Sequence, residues 1–214
     1  MTDYSNNSDI QNIKDHAPMQ KLDIFAFLEK NSIKKELLNV YPIGSQVYGT
    51  ATKESDHDYL TILSSGKNNI IFGNKLSAIV KSYEEFQKNV SDHQPLALEC
   101  LFLPPESKIQ ETFKPVWKLN PLTLKQTFIN KSVEDFEKAE KRYCDGLFSK
   151  GNKSMFHSLR ILTYGIQILK NGKIIDYGAA IPIWESIVTD PFLSMEIEWR
   201  PKHRNLVEEL RNLK

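Results

Sequence analysis

Short apolar runs separated by turn residues fill the first half of the chain, whereas apolar residues at helical spacing dominate after about residue 115. A short run bounded by Gly, Asn, Ser or Pro is typical of a β-strand, and a Gly-Asn pair between two such runs predicts a hairpin. The runs that predict strands occupy residues 40–43, 59–63, 70–72, 78–80 and 96–103.

Amphipathic segments flank these strands and continue to the end of the sequence. Lys153 to Asn171 has the clearest pattern, because Met155, Leu159 and Leu162 recur at the spacing of one buried stripe. Gly151-Asn152 before it is expected to stop the preceding helix. Further helices are predicted at 21–40 with a break near 31–32, at 122–150 with a break near Asn130, and at 83–90, 179–188 and 205–213.

The order of these elements predicts an α/β fold. A small mixed β-sheet with flanking helices is expected over residues 20–114, and a helical C-terminal lobe over 115–214. Residues 1–19 are mostly polar, so they are expected to form a flexible tail that buries little surface.

Composition excludes few classes of function. Of the 214 residues, 40% are hydrophobic and 26% charged, which is typical of soluble globular proteins, and the net charge of +1 gives no global attraction to nucleic acid or membrane. Cys100 and Cys144 lack metal-ligand spacing and are interpreted as reduced thiols. No apolar run is long enough to span a membrane and no signal peptide is evident, so a cytoplasmic protein without a membrane partner is expected.

The residues with the clearest chemical potential lie between 44 and 58. Gly44-Ser45 follows the first predicted strand, and Asp56-His57-Asp58 opens the second. Alternate strand residues share a face, so the carboxylates of Asp56 and Asp58 should lie side by side, where a divalent cation would offset their repulsion. The Gly-Ser turn offers backbone N–H groups that favour phosphate. An ordinary solvated turn is the alternative interpretation.

This segment resembles the signature of the DNA polymerase β-like nucleotidyltransferases, in particular a bacterial and viral group of predicted nucleotidyltransferases. The residues that carry the resemblance are Gly44-Ser45, Tyr48-Gly49-Thr50-Ala51-Thr52 and Ser55-Asp56-x-Asp58. A weaker match is Lys153-x-x-x-His157-x-x-Arg160 in the helical part. The resemblance covers about residues 38–172.

Two further sets of polar residues call for partners. Glu99 stands inside an apolar run, where an unpaired carboxylate would be costly, so it needs either a basic residue or a metal. The resemblance implies the metal, making Glu99 a third catalytic carboxylate beside Asp56 and Asp58. Lys153, His157 and Arg160 lie one turn apart and suit a polyphosphate, although a plain solvated face is the alternative.

The resemblance implies transfer of a nucleoside monophosphate from a nucleoside triphosphate, with ATP the expected donor, to a hydroxyl acceptor with release of pyrophosphate. Two Mg²⁺ ions, with Mn²⁺ as an alternative, would be held by Asp56, Asp58 and Glu99. Gly44, Ser45, Tyr48 and the basic stripe would bind the nucleotide, while His57 is assigned only a structural role.

The acceptor stays open among an RNA end, a protein and a small molecule. The alternatives are modification of RNA ends, adenylylation of a toxin partner, and nucleotide binding without turnover.

Overall fold

The computed structural model describes residues 21–33, 36–189 and 195–213. The chain divides between Lys35 and Glu36 into two units, which are described separately. The described part of the first unit is helix α1 (Lys21–Lys30) and the turn that ends it at Asn31 and Ser32, where the sequence predicts a break. The predicted continuation of this helix to residue 40 is wrong at its end, because residues from Leu37 onward form a strand. The predicted tail over 1–19 lies outside the described residues.

A five-stranded mixed sheet forms the centre of the second unit. Its strands are β1 (Leu37–Ile43), β2 (His57–Leu63), β3 (Asn69–Phe72), β4 (Leu76–Ser82) and β5 (Gln110–Glu111). They lie in the order β3-β4-β2-β1-β5, with β2 parallel to β4 and the other neighbours antiparallel. The strands predicted at 40–43, 59–63, 70–72 and 78–80 are all present, and Gly73-Asn74 lies in the turn between β3 and β4 as predicted.

Helices flank the sheet, and loops, a 3-10 helix (Pro105–Ser107) and a π-helical turn (Met195–Trp199) connect them. The flanking helices are α2 (Ser45–Tyr48), α3 (Tyr83–Ser91), α4 (Pro95–Phe102), α5 (Pro121–Cys144), α6 (Phe148–Asn171), α7 (Ile181–Thr189) and α8 (Arg200–Asn212). The predicted fold class, a small mixed sheet with flanking helices followed by a helical C-terminal part, is therefore confirmed. The domain boundary at 114/115 stays a prediction. Within the described residues no helix combines the length and apolarity needed to cross a bilayer.

The strand predicted at 96–103 is wrong, because these residues form helix α4. The segment contains no β-branched residue and is rich in Leu, Ala and Glu, which favour helix. Pro95 at the first helical position has a fixed φ and lacks an N–H that would have no partner there, so it helps to start the helix.

The break predicted near Asn130 is wrong, because α5 runs through this residue without interruption. The predicted stop at Gly151-Asn152 is also wrong, because α6 begins at Phe148 and runs through both residues. Gly151 is needed there for close packing: a Cβ at this position would lie 2.8 Å from the ring of Tyr143 on α5. The glycine thus lets α5 and α6 approach each other and does not end a helix.

One face of the sheet positions the candidate site. Cross-strand partners share a face, so Leu60 on β2 lies between Tyr41 on β1 and Ile79 on β4. Phe86 of α3 packs against this face, with its ring centroid 5.8 Å from that of Tyr41. Asp58 precedes Leu60 by two residues and therefore lies on the same face, at the start of β2.

Candidate active site

The carboxylate of Asp58 lies between a serine on the neighbouring strand and the Gly-Ser turn. Ser77, its partner in the β2–β4 register, donates a hydrogen bond of 2.5 Å from Oγ to Asp58 Oδ1. On the other side is Gly44, which has φ 77°, and a Cβ added there would lie 3.1 Å from Asp58 Oδ2. A side chain at residue 44 would therefore strain the backbone and crowd the carboxylate, which explains why the turn needs glycine.

Asp56 lies two residues before Asp58, in the loop that leads into β2, and is exposed. Within the part of the chain that the structure describes, no group donates a hydrogen bond to its side chain. The loop around it is held from the β3–β4 turn, because His57 donates its N–H to the carbonyl of Lys75 at 3.0 Å and Lys75 Nζ lies 2.9 Å from Glu54 Oε2. Asp56 is thus an open carboxylate on an anchored loop.

Ser45 begins the single-turn helix α2 directly after Gly44. The N–H groups in the first turn of a helix have no intrahelical partner, so those of Ser45 and Gln46 are open to other acceptors. The turn of Gly44 and Ser45 and the carboxylate of Asp58 therefore form one continuous surface at the end of β1 and the start of β2.

Glu99 has a different environment from the one predicted for it. It lies on helix α4, is 4% exposed, and its Oε1 accepts a hydrogen bond of 2.6 Å from Nη1 of Arg160 on α6, which is also 4% exposed. Its Oε2 accepts a bond of 2.7 Å from the hydroxyl of Tyr48. Glu99 thus has the basic partner that the sequence leaves open as one alternative, and its role as a third metal ligand stays a prediction.

Aromatic rings enclose this buried ion pair. The guanidinium of Arg160 lies 3.7 Å from the ring centroid of Tyr48 and 5.1 Å from that of Tyr164. Burial alone would lower the pKa of Arg160, but the Glu99 carboxylate raises it, so the guanidinium stays charged. Tyr177 donates from its hydroxyl to the Glu99 carbonyl at 2.5 Å. The predicted partner of Arg160 was a triphosphate, but its partner in the structure is Glu99.

A cavity of about 360 Å³ lies between this sheet face and the helices. Its volume is within the range of small-molecule sites. Its apolar lining comes from Leu60, Phe86, Pro95, Leu96, Ala97 and Ile161. Its polar lining comes from Tyr48, Lys81, Asn89, Gln94, Glu99, Lys131, Asp135, His157 and Arg160. Because Leu60 follows Asp58 on the same face, the cavity begins one pleat beyond the carboxylate.

The three residues of the predicted basic stripe on α6 do not share one environment. Arg160 and His157 line the cavity, whereas Lys153 is exposed and is not part of its lining. Burial lowers the pKa of His157 to about 3, and the nearby charges of Arg160 and Lys153 contribute in the same direction. A neutral imidazole therefore faces the cavity at neutral pH. The apolar stripe of this helix is buried as predicted.

The carboxylates can be tested against the Mg²⁺ that the sequence implies. Mg²⁺ is usually held through one or two protein carboxylates, with substrate phosphates and water completing its shell. Asp56 and Asp58 fit this mode, since Asp56 is open and Asp58 is oriented by Ser77. Among the described residues no group of three His, Cys, Asp or Glu side chains is arranged to hold a metal ion. Any ion at this site would therefore take most of its ligands from phosphate and water.

Three residues at the site have no signal in the sequence that singles them out. Ser77 follows from the β2–β4 register, which the predicted strands do not fix. Tyr177 contacts Glu99 from a loop far along the chain, and Ile181 on α7 packs against the motif turn, where a Cβ on Gly49 would lie 2.9 Å from its Cδ1. Part of the segment after residue 173, which the sequence leaves without a role, thus supports the Gly44–Gly49 turn.

Comparison with known proteins gives distant likenesses. No protein-family profile matches the chain. An uncharacterized 38.9 kDa protein of the nrdC-mobD intergenic region of Enterobacteria phage T4 is 31% identical over 35% of this chain, and the match spans 28% of the phage protein's length.

Two solved structures are similar over 90% of this chain. The spectinomycin adenyltransferase AAD(9) of Enterococcus faecialis, solved with ATP and spectinomycin, has 14% identity, a TM-score of 0.49 and 98% of its own length covered. A nucleotidyltransferase-like protein of Exiguobacterium sibiricum has 12% identity, a TM-score of 0.31 and 73% coverage. One is thus described as an adenyltransferase and the other as nucleotidyltransferase-like, at similarities too low to assign a shared function.

Proposed function

We propose that this protein is a Mg²⁺-dependent nucleotidyltransferase that moves a nucleoside monophosphate from a nucleoside triphosphate, ATP in the first instance, to a hydroxyl acceptor. The observation that carries the proposal is the close approach of the turn at Gly44 to the carboxylate of Asp58, which leaves no room for a side chain at residue 44. The first turn of a helix beside the Asp58 carboxylate, with the exposed Asp56 two residues earlier in the chain, suits a metal-bound triphosphate.

The roles of the residues follow from their surroundings. Ser77 holds Asp58 in one orientation, Asp56 and Asp58 would bind Mg²⁺, and the turn would bind the phosphates. The ion would supply charge neutralisation on the phosphates. Lys153, exposed on α6, retains its predicted role of neutralising phosphate charge from the helical part.

The chemical step is a displacement at the α-phosphorus. The acceptor oxygen forms a bond to this phosphorus as the bond to the bridging oxygen breaks, and pyrophosphate leaves with that oxygen. The hydroxyl proton passes to Asp56, whose carboxylate accepts no hydrogen bond from the described residues. Two carboxylate oxygens provide about four acceptor positions, so Asp56 can contact both a metal and this proton.

The cavity is suited to the acceptor. It lies on the face of Asp58 and combines an apolar floor with the amides of Asn89 and Gln94 and the charged groups of Lys131 and Asp135. Hydroxyl-bearing small molecules need such hydrogen-bonding groups at fixed positions. A small molecule or a terminal sugar of RNA fits this description better than a folded protein surface.

Nucleotide binding without turnover is a second candidate function. The observation that favours it is the engagement of Glu99 by Arg160 and Tyr48, which leaves two carboxylates where the resemblance implies three. A site with two carboxylates still binds a metal–triphosphate, but it has fewer groups to activate a hydroxyl.

The test uses Asp58→Asn with Asp145→Asn as a control, since Asp145 is an exposed aspartate at the end of α5. Asparagine keeps an oxygen that can accept from Ser77, so the fold should persist. The loss of the charge should reduce AMP transfer from MgATP about 100- to 1000-fold, equivalent to about 3–4 kcal/mol in the transition state. Wild-type turnover in the purified Asp58 variant would refute the metal assignment.

Intact-mass spectrometry separates the acceptor classes. After incubation with MgATP, a mass gain on RNA, on a protein or on a small molecule identifies the acceptor. Binding of MgATP with no mass gain on any acceptor would favour the second candidate function.

A further inference from the structure

Two large apolar side chains on the edge strand β3 are exposed although they share a sheet face with the candidate site. Phe72 is 77% exposed and Ile70 is 52% exposed. The other large apolar side chains on the sheet are buried or half-buried, so an exposed pair beside a polar site marks a candidate binding surface.

The strand register places Phe72 directly in line with the carboxylate site. Asp58 on β2 pairs with Ser77 on β4, and Ser77 pairs with Phe72 on β3. Cross-strand partners point to the same face, and adjacent strands are about 4.8 Å apart, so Phe72 stands about 10 Å from Asp58 along the sheet. In the next row, Leu60 pairs with Ile79 and Ile79 with Ile70.

The burial of this face changes across the sheet. Leu60 on β2 is buried, Ile79 on β4 is half-buried and Ile70 on β3 is exposed. The apolar surface is therefore continuous from the core to the edge, and its outer part, formed by Phe72, Ile70 and Ile79, is open to a ligand.

The position of Phe72 is fixed by the turn that follows it. Gly73 donates its N–H to the carbonyl of Leu76 at 2.7 Å, and the carbonyl of Lys75 accepts from His57 at 3.0 Å. The side chain of Lys75 also contacts Glu54 in the loop that carries Asp56. The ring and the two carboxylates are thus attached to one connected piece of backbone, which gives a ligand a preformed surface.

We propose that Phe72 is the stacking surface for the base of the donor nucleotide, with Ile70 and Ile79 supporting its edge. This inference rests on the proposed function, which brings a triphosphate to Asp56 and Asp58.

The chemistry of the surface favours a base over a polar acceptor. An aromatic ring binds any nucleobase through its π-face. The three side chains that form the patch are apolar, and the hydroxyl of Ser77 beside them is engaged with Asp58, whereas the cavity offers the amides of Asn89 and Gln94. The two substrates would accordingly occupy two different surfaces on either side of Asp58.

The experiment measures binding of MgATP and of magnesium tripolyphosphate to the full chain by calorimetry. The variants are Phe72→Ala, Phe72→Trp and the control Phe148→Ala, which removes a comparably exposed aromatic (62%) from the start of α6. Phe72→Ala should weaken MgATP binding about 5- to 150-fold and leave tripolyphosphate binding unchanged. Phe72→Trp should bind MgATP at least as well as the wild type, and the control should change neither ligand.

The outcomes separate this inference from the proposed function. If wild-type protein binds MgATP and Phe72→Ala binds it equally well, the stacking role is refuted while the proposed function stands. If Phe72→Ala alters acceptor KM and not MgATP affinity, the ring contacts the acceptor and the inference is likewise refuted. If wild-type protein binds neither MgATP nor tripolyphosphate, both the inference and the proposed function fail.

Discussion

Removing Arg160 should affect the stability of the fold more than it affects nucleotide binding. The sequence pattern leads to the opposite expectation, because a basic residue on a helix facing a cleft suits a triphosphate. In the structure its partner is Glu99, at 2.6 Å, and both side chains are 4% exposed. Arg160→Met keeps much of the apolar stem but leaves the Glu99 carboxylate buried without its counter-charge.

The magnitude follows from the cost of an unpaired buried charge. Breaking a buried ion pair by removing one partner costs about 3–5 kcal/mol. Tyr48 still donates a hydrogen bond to Glu99, which places the expected loss toward the lower end of this range. For a domain of this size each kcal/mol lowers Tm by about 2–4 °C, so the variant should melt about 6–20 °C below the wild type.

Urea unfolding followed by circular dichroism measures the free energy directly. The matched control is Lys170→Met, which removes one partner of the surface pair Lys170–Glu209, whose side chains are both about half exposed. Exposed pairs contribute at most about 1 kcal/mol, so this control should stay close to the wild type. An Arg160 variant within 1 kcal/mol of the wild type would refute the account of a buried, mutually dependent pair.

Two further predictions concern the turn and the cavity. Gly44→Ala should lower transfer activity, because the added Cβ would lie 3.1 Å from Asp58 Oδ2. Its effect on folding should be smaller than that of Arg160→Met. Unaltered MgATP affinity and turnover in this variant would contradict the close approach of Gly44 to Asp58. His157 is half-buried and burial lowers its pKa to about 3, so its proton binds preferentially to the unfolded state and stability falls as pH drops from 6.5 toward 3. Between pH 7 and 5 this loss is about 2 kcal/mol, and His157→Gln should remove it, measured by urea unfolding at both pH values. Burial also lowers the pKa of His203 to about 4, so the stability of the His157→Gln variant should still depend on pH to a smaller degree. If stability falls as steeply with pH in this variant as in the wild type, the lowered pKa of His157 is refuted.

The sequence predicts the local elements well where turn residues bound them. Glycines, asparagines and serines separate the first four strands, and each lies within a few residues of its prediction. The apolar run at 96–103 contains no turn residue. A buried strand and a buried helix of that length also have the same apolar pattern, so periodicity does not distinguish them. Its lack of β-branched residues and its leading Pro95 were the signals for helix.

Contacts between distant residues account for what the sequence could not predict. The need of Glu99 for a partner follows from its apolar neighbours, but two partners were consistent with it, a basic side chain and a metal. Arg160 is 61 residues away on another helix, and only the packing of α6 against α4 selects between them. Ser77 likewise acquires its role from a register of parallel strands that no local pattern specifies.

The residues of the motif between Gly44 and Asp58 lie in two different environments in the structure, one at the surface and one in the interior. The interior residues hold the surface residues in place. Gly44 lies close to the carboxylate of Asp58 at the surface. Tyr48, four residues later, points inward, where its hydroxyl donates to Glu99 and its ring packs against the guanidinium of Arg160. The inner contacts fix the short helix α2 against α4 and α6, and so fix the turn that would bind phosphate. A buried ion pair need not add stability over apolar residues of similar volume, but it permits fewer arrangements of its neighbours. Glu99 and Arg160 are therefore best understood as positioning residues for the Gly44-Ser45 turn.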